Sequence, residues 1–385
     1  MDFSLRPETE RFRDQVRAFI AEHVTPEVIE RMHETGTFHD WGLSKALADA
    51  GLLHGALPGV GDRDPVELWI LFNELEKAGA PYDGLAVTMM VGGVINTVGT
   101  DFHRREILDQ ILTGTKGCAL GYSEPDFGSD VAGAMTRAER DGDEWVINGQ
   151  KMWTSLAHEA SWVILLTRTD PDVPKHKGLT MFMVPLDLPG VEIQPVHTMG
   201  SERTNATFYD NVRIPDRYRL GEVNGGWAVM AVGLAFERGV MGGTNTGVPL
   251  LRHTAEWVRH ANRPDGTRLA DDPVVREQLV RVAIDNHVAG LLTVRCAWIA
   301  ATGGLPGLEG SMTKVFATEA YQKAVGWFQR MAGAEGLLGF GTDGAAEGWI
   351  DYDARHAPVT TIYGGTSEIN RNNIAERHLG LPRAR

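Results

Sequence analysis

The period of the apolar residues changes twice along the chain, and that change limits the fold more than any single motif does. Phe12, Val16, Phe19 and Ile20 recur at helical spacing with charges between them. After Asp64-Pro65, Leu68, Leu71, Phe72 and Leu75 share one helical face. The stretch VGGVINTVGT then reads as a break before helical spacing resumes over Arg104 to Leu112. Near Lys116 the period drops to two. Cys118, Leu120 and Tyr122 alternate with Ala119, Gly121 and Ser123, and Asp141-Gly142 is a hairpin signal. The runs 162–167, 180–184 and 191–196 read as further strands, so a compact sheet or barrel is expected over 116–222. Helical texture returns after Gly225-Gly226-Trp227, over 227–262, 273–302 and 311–334, and again from Thr366. Pro249 is expected to kink or end the first of these. The predicted order is a helical domain (1–115), a β domain (116–222) and a helical bundle (223–385).

Totals narrow the function classes. A chain of 385 residues has room for two or three domains. Its 51 acidic side chains outnumber 37 Lys and Arg, a net charge of −14, which argues against nucleic acid as the main partner. With only Cys118 and Cys296, and no CxxC, neither a disulfide framework nor a cysteine zinc site is expected. The histidines lack ligand spacing, so no metal is expected. The start, MDFSLRPETE, lacks leader character, and there is no apolar run long enough to span a bilayer. The expectation is a cytoplasmic protein without a membrane span. GFGTDG (339–344) matches a dinucleotide fingerprint, but no strand precedes it, so that reading is set aside.

Four segments carry the chemistry. Within GWAVMAVGLAFERGVMGGTNTGVPLL (226–251) only Glu237 and Arg238 are charged. A carboxylate in such surroundings has its pKa raised and suits a general base, although a solvent-facing patch or a structural ion pair would look the same. GYSEPDFGSD (121–130) leaves a strand and turns at Pro125 and Gly128, offering the hydroxyls of Ser123 and Ser129. It can equally be an ordinary polar turn. INGQKMWTS (147–155) sets Trp153 beside Thr154 and Ser155, as a cofactor wall or as core. In IYGGTSEINRN (362–372), Gly364 and Gly365 precede Thr366, which can cap the helix that follows.

Taken together and in order, these segments resemble the acyl-CoA dehydrogenase family, as do MGSERTNATFYDNVRIP (199–215), LGEVNGGW (220–227) and IYGGTSEINRNNIAERHLGLPR (362–383). The likeness leans toward bacterial members acting on branched or bulky thioesters. It implies a mainly α fold with an N-terminal helical domain, a middle β-barrel and a C-terminal four-helix bundle. It also implies non-covalent FAD. Tyr122, Ser123, Gly128, Ser129, Trp153 and Ser155 would meet the flavin, and Thr366 and Glu368 its phosphate and adenosine end. Many members carry a catalytic glutamate where this chain has Gly364. A minority place the base immediately before an arginine on the first long helix of the bundle, which matches Glu237-Arg238. The resemblance thus implies α,β-dehydrogenation of an acyl-CoA. Glu237 would be the base, the Gly364 N–H a donor to the thioester oxygen, and Ser129, Phe236 and Arg238 further substrate contacts. An electron-transferring flavoprotein is the implied acceptor, and an oxidase-type reaction with oxygen is the alternative. Members complete each flavin site from a neighbouring chain. The two segments concerned differ here and leave Arg263 and Gly333 as the corresponding positions. A homo- or hetero-oligomer, dimer or tetramer, is therefore expected, and one alternative is a partner subunit with little activity alone.

Overall fold

The computed structural model describes residues 4–53, 65–236, 247–304 and 306–382. Glu237, Arg238 and the glycines at 239, 242 and 243 lie outside the described residues.

The N-terminal part is helical: α1 (Pro7–His23), α2 (Pro26–Thr35), α3 (Trp41–Asp49), α4 (Pro65–Ala78) and α5 (Asp83–Val98). Proline at the first position of α1 and α2 leaves no useful donor unsatisfied there. Asp40 caps α3 by accepting from the Leu43 N–H at 2.8 Å. The expected break at VGGVINTVGT does not occur, because α5 runs through it to Val98. Those glycines serve close packing. A Cβ on Gly93 would lie 2.7 Å from the Phe236 ring, so a bare backbone lets a second helix approach. The region then closes with α6 (Asp101–His103), a π-helical stretch over Arg104–Leu108, and α7 (Asp109–Ile111).

Eight strands follow: β1 (Cys118–Gly121), β2 (Arg137–Asp141), β3 (Glu144–Lys151), β4 (Trp162–Arg168), β5 (Leu179–Pro185), β6 (Val191–His197), β7 (Arg203–Pro215) and β8 (Arg219–Leu220). They form one sheet in the order β6-β7-β3-β2-β4-β5-β8, with β1 parallel to β4 in the register Cys118↔Trp162. The barrel expectation is corrected here: the sheet is open. Its two ends, β6 and β8, do not pair with each other, and β2 joins β4 through the single pair Arg137↔Arg168. Pro195 lacks a donor, as suits an edge strand, and β8 is two residues long. Alternation and turn spacing identify strands, but closure depends on stagger and tilt, which they do not encode.

The continuous apolar run of β4 is explained by burial on both faces. Ile164 and Leu166 join Met181 and Met183 in a core shared with α1, α3, α4 and α5. Val163 and Leu165 join Trp145, Ile147, Phe182, Val212 and Ile214 on the opposite face, around which the sheet curls without closing.

The C-terminal part comprises α8 (Gly226–Phe236), α9 (Gly247–His260), α10 (Pro273–Ala301), α11 (Gly307–Ala332), α12 (Trp349–Thr360) and α13 (Ser367–Asn372). Pro249, expected to kink or end the first helical segment, lies near the start of α9 (Gly247–His260), and the residues before Gly247 lie outside the described ones. A core of Leu250, Val282, Tyr321, Phe328 and Ile350 holds α9 to α12 together. No helix among the described residues is long and apolar enough to cross a membrane.

Candidate functional site

The rim of the site begins where β1 ends. Glu124 and Phe127 exchange backbone hydrogen bonds of 3.0 and 3.1 Å, folding Pro125 and Asp126 into a tight turn. The Glu124 side chain points inward and accepts from Met135 N at 2.7 Å and Thr136 N at 2.9 Å, closing the loop at both ends. It also pairs with Lys151 Nζ at 2.8 Å. Lys151 donates further to Tyr122 O at 3.2 Å and is only 1% exposed. Burial pulls Lys151 down to about 8, against the opposing pull of Glu124. Burial pushes Glu124 up, but Lys151 and the two backbone donors outweigh it and hold the carboxyl below its usual range. From behind, the Arg168 guanidinium donates to Ala132 O at 2.5 Å and Ala134 O at 3.2 Å. Sequence reasoning missed Glu124, Lys151 and Arg168. One signal was available: Trp145, Ile147 and Lys151 share strand parity, which turns Lys151 inward.

This framework presents the expected rim residues. Met152 N donates to Ser123 O at 2.9 Å, joining the loop to the segment after β3. Trp153 follows with φ 62° and its indole 56% exposed. A large apolar ring held in solvent on a left-handed backbone is an unusual use of a tryptophan. The backbone is fixed by Thr154 N donating to Asn205 O at 2.8 Å and Asn205 Nδ2 donating to Thr154 O at 3.0 Å. Ser155 Oγ and Thr204 Oγ1 share a hydrogen bond of 2.9 Å. Gly128 and Ser129 are exposed, and a Cβ on Gly128 would meet nothing within 4 Å. The structure thus brings Tyr122, Ser123, Trp153 and Ser155 to one rim. An exposed indole wall bordered by hydroxyls and open backbone fits a planar ring with a polar edge, so the residues present suit a flavin.

A second element reaches this rim. A Cβ on Gly233 of α8 would lie 3.4 Å from Tyr122 Oη and from Val94, so α8 rests against the first rim residue. Phe236, three residues on, packs over Gly93 of α5.

The glycine corner lies beyond α12. Ile362 N and Tyr363 N both donate to Val359 O, at 2.9 and 3.2 Å, so the corner hangs directly from the helix end. Gly364 and Gly365 have φ of 63° and 79°, in the region that favours glycine. Lys314 Nζ and Asn370 Nδ2 each donate to Gly365 O at 2.8 Å. Thr366 Oγ1 accepts from Ile369 N at 3.1 Å and caps α13, whose first turn exposes Glu368. Arg263 pairs with Asp272, the cap of α10, and Gly333 ends α11 with φ 59°.

Three family models match in chain order: the acyl-CoA dehydrogenase N-terminal domain over 6–115, the middle domain over 119–212 and the C-terminal domain over 224–379. Acyl-CoA dehydrogenase FadE26 of Mycobacterium tuberculosis strain H37Rv is 33% identical, over 100% of both chains. Acyl-CoA dehydrogenase IpdE1 of the same organism is 34% identical, over 98% of each. Among solved structures, the ChsE4-ChsE5 complex from Mycobacterium tuberculosis is similar with a TM-score of 0.90 and 33% identity over 100% of each chain. The Tcur3481-Tcur3483 steroid ACAD is similar with a TM-score of 0.89 and 31% identity, again over 100% of each. These likenesses are to flavin-dependent oxidoreductases acting on CH–CH bonds. More narrowly, the chain belongs to the acyl-CoA dehydrogenase family, whose chemistry is FAD-dependent dehydrogenation of acyl-CoA thioesters.

Proposed function

We propose that this chain removes two hydrogens across the α,β bond of a bulky acyl-CoA thioester, with FAD on the Trp153 rim and Glu237 as the base. The observation that carries the reading is the contact of α8 with the rim, Gly233 against Tyr122 and Phe236 against Gly93, because Glu237 follows Phe236 in the chain. The eleven residues of α8 carry no charge, and a carboxylate held in apolar surroundings suits a general base working near neutrality. Gly364 supports the same assignment. It brings no carboxylate to the corner, yet its N–H can donate to the thioester oxygen as the α-proton leaves. One preorganised donor of that kind contributes about 3 kcal/mol to lowering the barrier. The bound flavin supplies the hydride acceptor.

The remaining roles follow the resemblance. Tyr122, Ser123, Gly128, Ser129, Trp153 and Ser155 hold the flavin, and Thr366 and Glu368 lie toward its phosphate and adenosine end. Arg263 and Gly333 complete the flavin site of a neighbouring chain. Ser129, Phe236 and Arg238 contact the acyl-CoA. The domain limits are 1–115, 116–222 and 223–385, the setting is cytoplasmic, and an electron-transferring flavoprotein takes the electrons. Turnover that needs oxygen would replace that acceptor with an oxidase reaction. The bulk of the acyl group is supported by likeness to the protein named a steroid ACAD.

Anaerobic bleaching of the flavin across short, branched, aromatic and sterol-derived thioesters identifies the substrate. Glu237→Gln should keep its flavin and lose turnover by about 10²–10⁴-fold. Near-normal turnover in that variant rejects the base.

A second reading is favoured by one face of α10. Val280, Ile284, Leu291 and Trp298 are exposed at helical spacing, an apolar stripe that suits a covering chain. Two of the similar structures are named as pairs of unlike chains. The chain would then complete a partner's site in a dimer or tetramer. Protein purified alone and coloured by flavin supports the enzyme; colourless protein that gains colour with a second chain supports the subunit.

A further inference from the structure

Three carboxylates and one imidazole converge where α5, the turn before β7 and α12 meet, and none of the roles above uses them. His356 is 7% exposed and lies in the last turns of α12. Its Nδ1 is 2.6 Å from Glu202 Oε1, an ion-pair contact whose angles fall short of a hydrogen bond. The ring stacks on Tyr352 at 5.8 Å between centroids and faces Phe38 at 6.5 Å. Asp353, 5% exposed, accepts from the Tyr321 hydroxyl of α11, while its Oδ2 has no hydrogen-bond partner among the described residues. Asp83, the first residue of α5, adds a third acidic field at the imidazole.

The turn is gripped at two consecutive residues. Beside the His356–Glu202 pair, Arg355 Nη1 donates to Ser201 Oγ at 2.8 Å while Nη2 holds Asp351 at 2.6 Å. A Cβ on Gly200 would stand 3.4 Å from His356 Cα, so helix and turn touch at backbone range. On its other side, Arg203 N donates to Gly36 O at 2.8 Å. The N-terminal helices, the sheet and α12 therefore meet at this one turn. The same α12 ends in the corner, through the bonds of Ile362 N and Tyr363 N to Val359 O and of Ser367 N to Thr361 O at 3.0 Å. The tilt of α12 thus sets where Gly364 points.

We propose that His356 is a positioning residue for the dehydrogenation: as an imidazolium it ties α12 to Glu202 and holds the Gly364 corner in place, and on losing its proton it releases that tie. The proposal rests on the role given to Gly364 above. Burial works against the charged ring, but Glu202, Asp353 and Asp83 outweigh it and hold the imidazole above its ordinary value. A raised value places the tie at full strength below about pH 6.5 and removes it as pH rises through the folded-state value. Asp353 is pushed up to about 7 by burial, against the lowering pull of Tyr321 and His356, so the cluster sheds part of its negative charge near neutrality. The hydroxyls of Tyr321 and Tyr352 are held well above their ordinary value, chiefly by burial, and stay neutral throughout.

Amide hydrogen exchange of the 357–368 segment in the full-length, flavin-loaded protein reads the tie without turnover. After correction for intrinsic exchange, the wild type should be protected at about pH 6 and open about tenfold by about pH 9. His356→Gln, neutral at every pH, should exchange at the fast rate throughout. Glu202→Gln should exchange at the fast rate even at about pH 6, because the imidazolium loses the partner to which it is tied. In turnover, kcat should fall on an alkaline limb that His356→Gln lacks, with KM moving less than kcat. Equal protection at both pH values in the wild type, or an alkaline limb that persists in His356→Gln, overturns the proposal. Should His356→Gln fail to fold, the wild-type and Glu202→Gln exchange curves decide. A chain that no thioester reduces, yet opens with pH as described, upholds the tie and overturns the functional reading alone.

Discussion

The rim around Trp153 and the corner at Gly364 face the same chemistry but are held in place differently. The rim hangs on a buried ion pair, Glu124 with Lys151, and each partner has its remaining hydrogen bonds supplied by backbone groups. The corner hangs on a helix end, two left-handed glycines and a cluster in which acids outnumber bases. A hydrogen-bonded pair acts as a rigid fastening while both charges last, and Lys151, pulled down to about 8, keeps its proton through neutral pH. A cluster with excess acid must exchange protons near neutrality. The rim stays fastened until Lys151 loses its proton near pH 8, while the corner's acid cluster responds at about pH 7.

The largest test of that contrast breaks the fastening. Lys151→Met leaves Glu124 buried without its cation and should cost about 3–5 kcal/mol in denaturant unfolding, with flavin lost from the rim. If flavin retention survives, the rim does not depend on the pair. Next, Gly93→Ala drives a methyl to 2.7 Å from the Phe236 ring. It should cost about 1–3 kcal/mol by overpacking, and turnover should fall more than flavin content does. Gly365→Ala places a side chain at φ 79° with its Cβ 3.2 Å from Asn370 Nδ2. About 1–2 kcal/mol of strain is expected, read as a lower melting temperature with the rim's flavin spectrum unchanged. The smallest effect is that of Thr366→Ala, which removes the cap on α13 for about 1 kcal/mol and sharpens the contrast by loosening only the corner. A change in the Trp153 environment in either corner variant would mean that the two regions are not separately held.

How much of this was legible depends on the range of the interactions involved. Alternation along Cys118 to Ser123 and the Asp141-Gly142 signal are local, and strands lie there and at the runs 162–167, 180–184 and 191–196, but β7 and β8 were not read. Whether the sheet closes is set by registers between distant strands, and a barrel was expected where the sheet is open. The glycines of α5 were read as a break because glycine ordinarily weakens a helix. Their reason lies at Phe236, far along the chain. The helix α12 was not anticipated, since Pro358 near its end and the glycines before it mask the periodicity. The hydroxyls and tryptophan of the rim stand out within short motifs, as does the glycine corner. The groups that hold them do not: Glu124 and Lys151 are 27 residues apart, and His356 meets Glu202 across the whole C-terminal region. A charge that will be neutralised by a remote partner looks, in sequence, like any surface charge.

The open sheet has a consequence for how this molecule can be enlarged. Among the described strands its free margins are β6, interrupted by Pro195, β8, of two residues, and β1, of four residues and paired with β4 alone, so none offers a long unbroken ladder of donors and acceptors to a stranger. Sideways annexation of another polypeptide, whether as a fibre or as a shared sheet, is therefore disfavoured from the outset. A companion is better recruited through side chains, such as the exposed Val280, Ile284, Leu291 and Trp298 of α10.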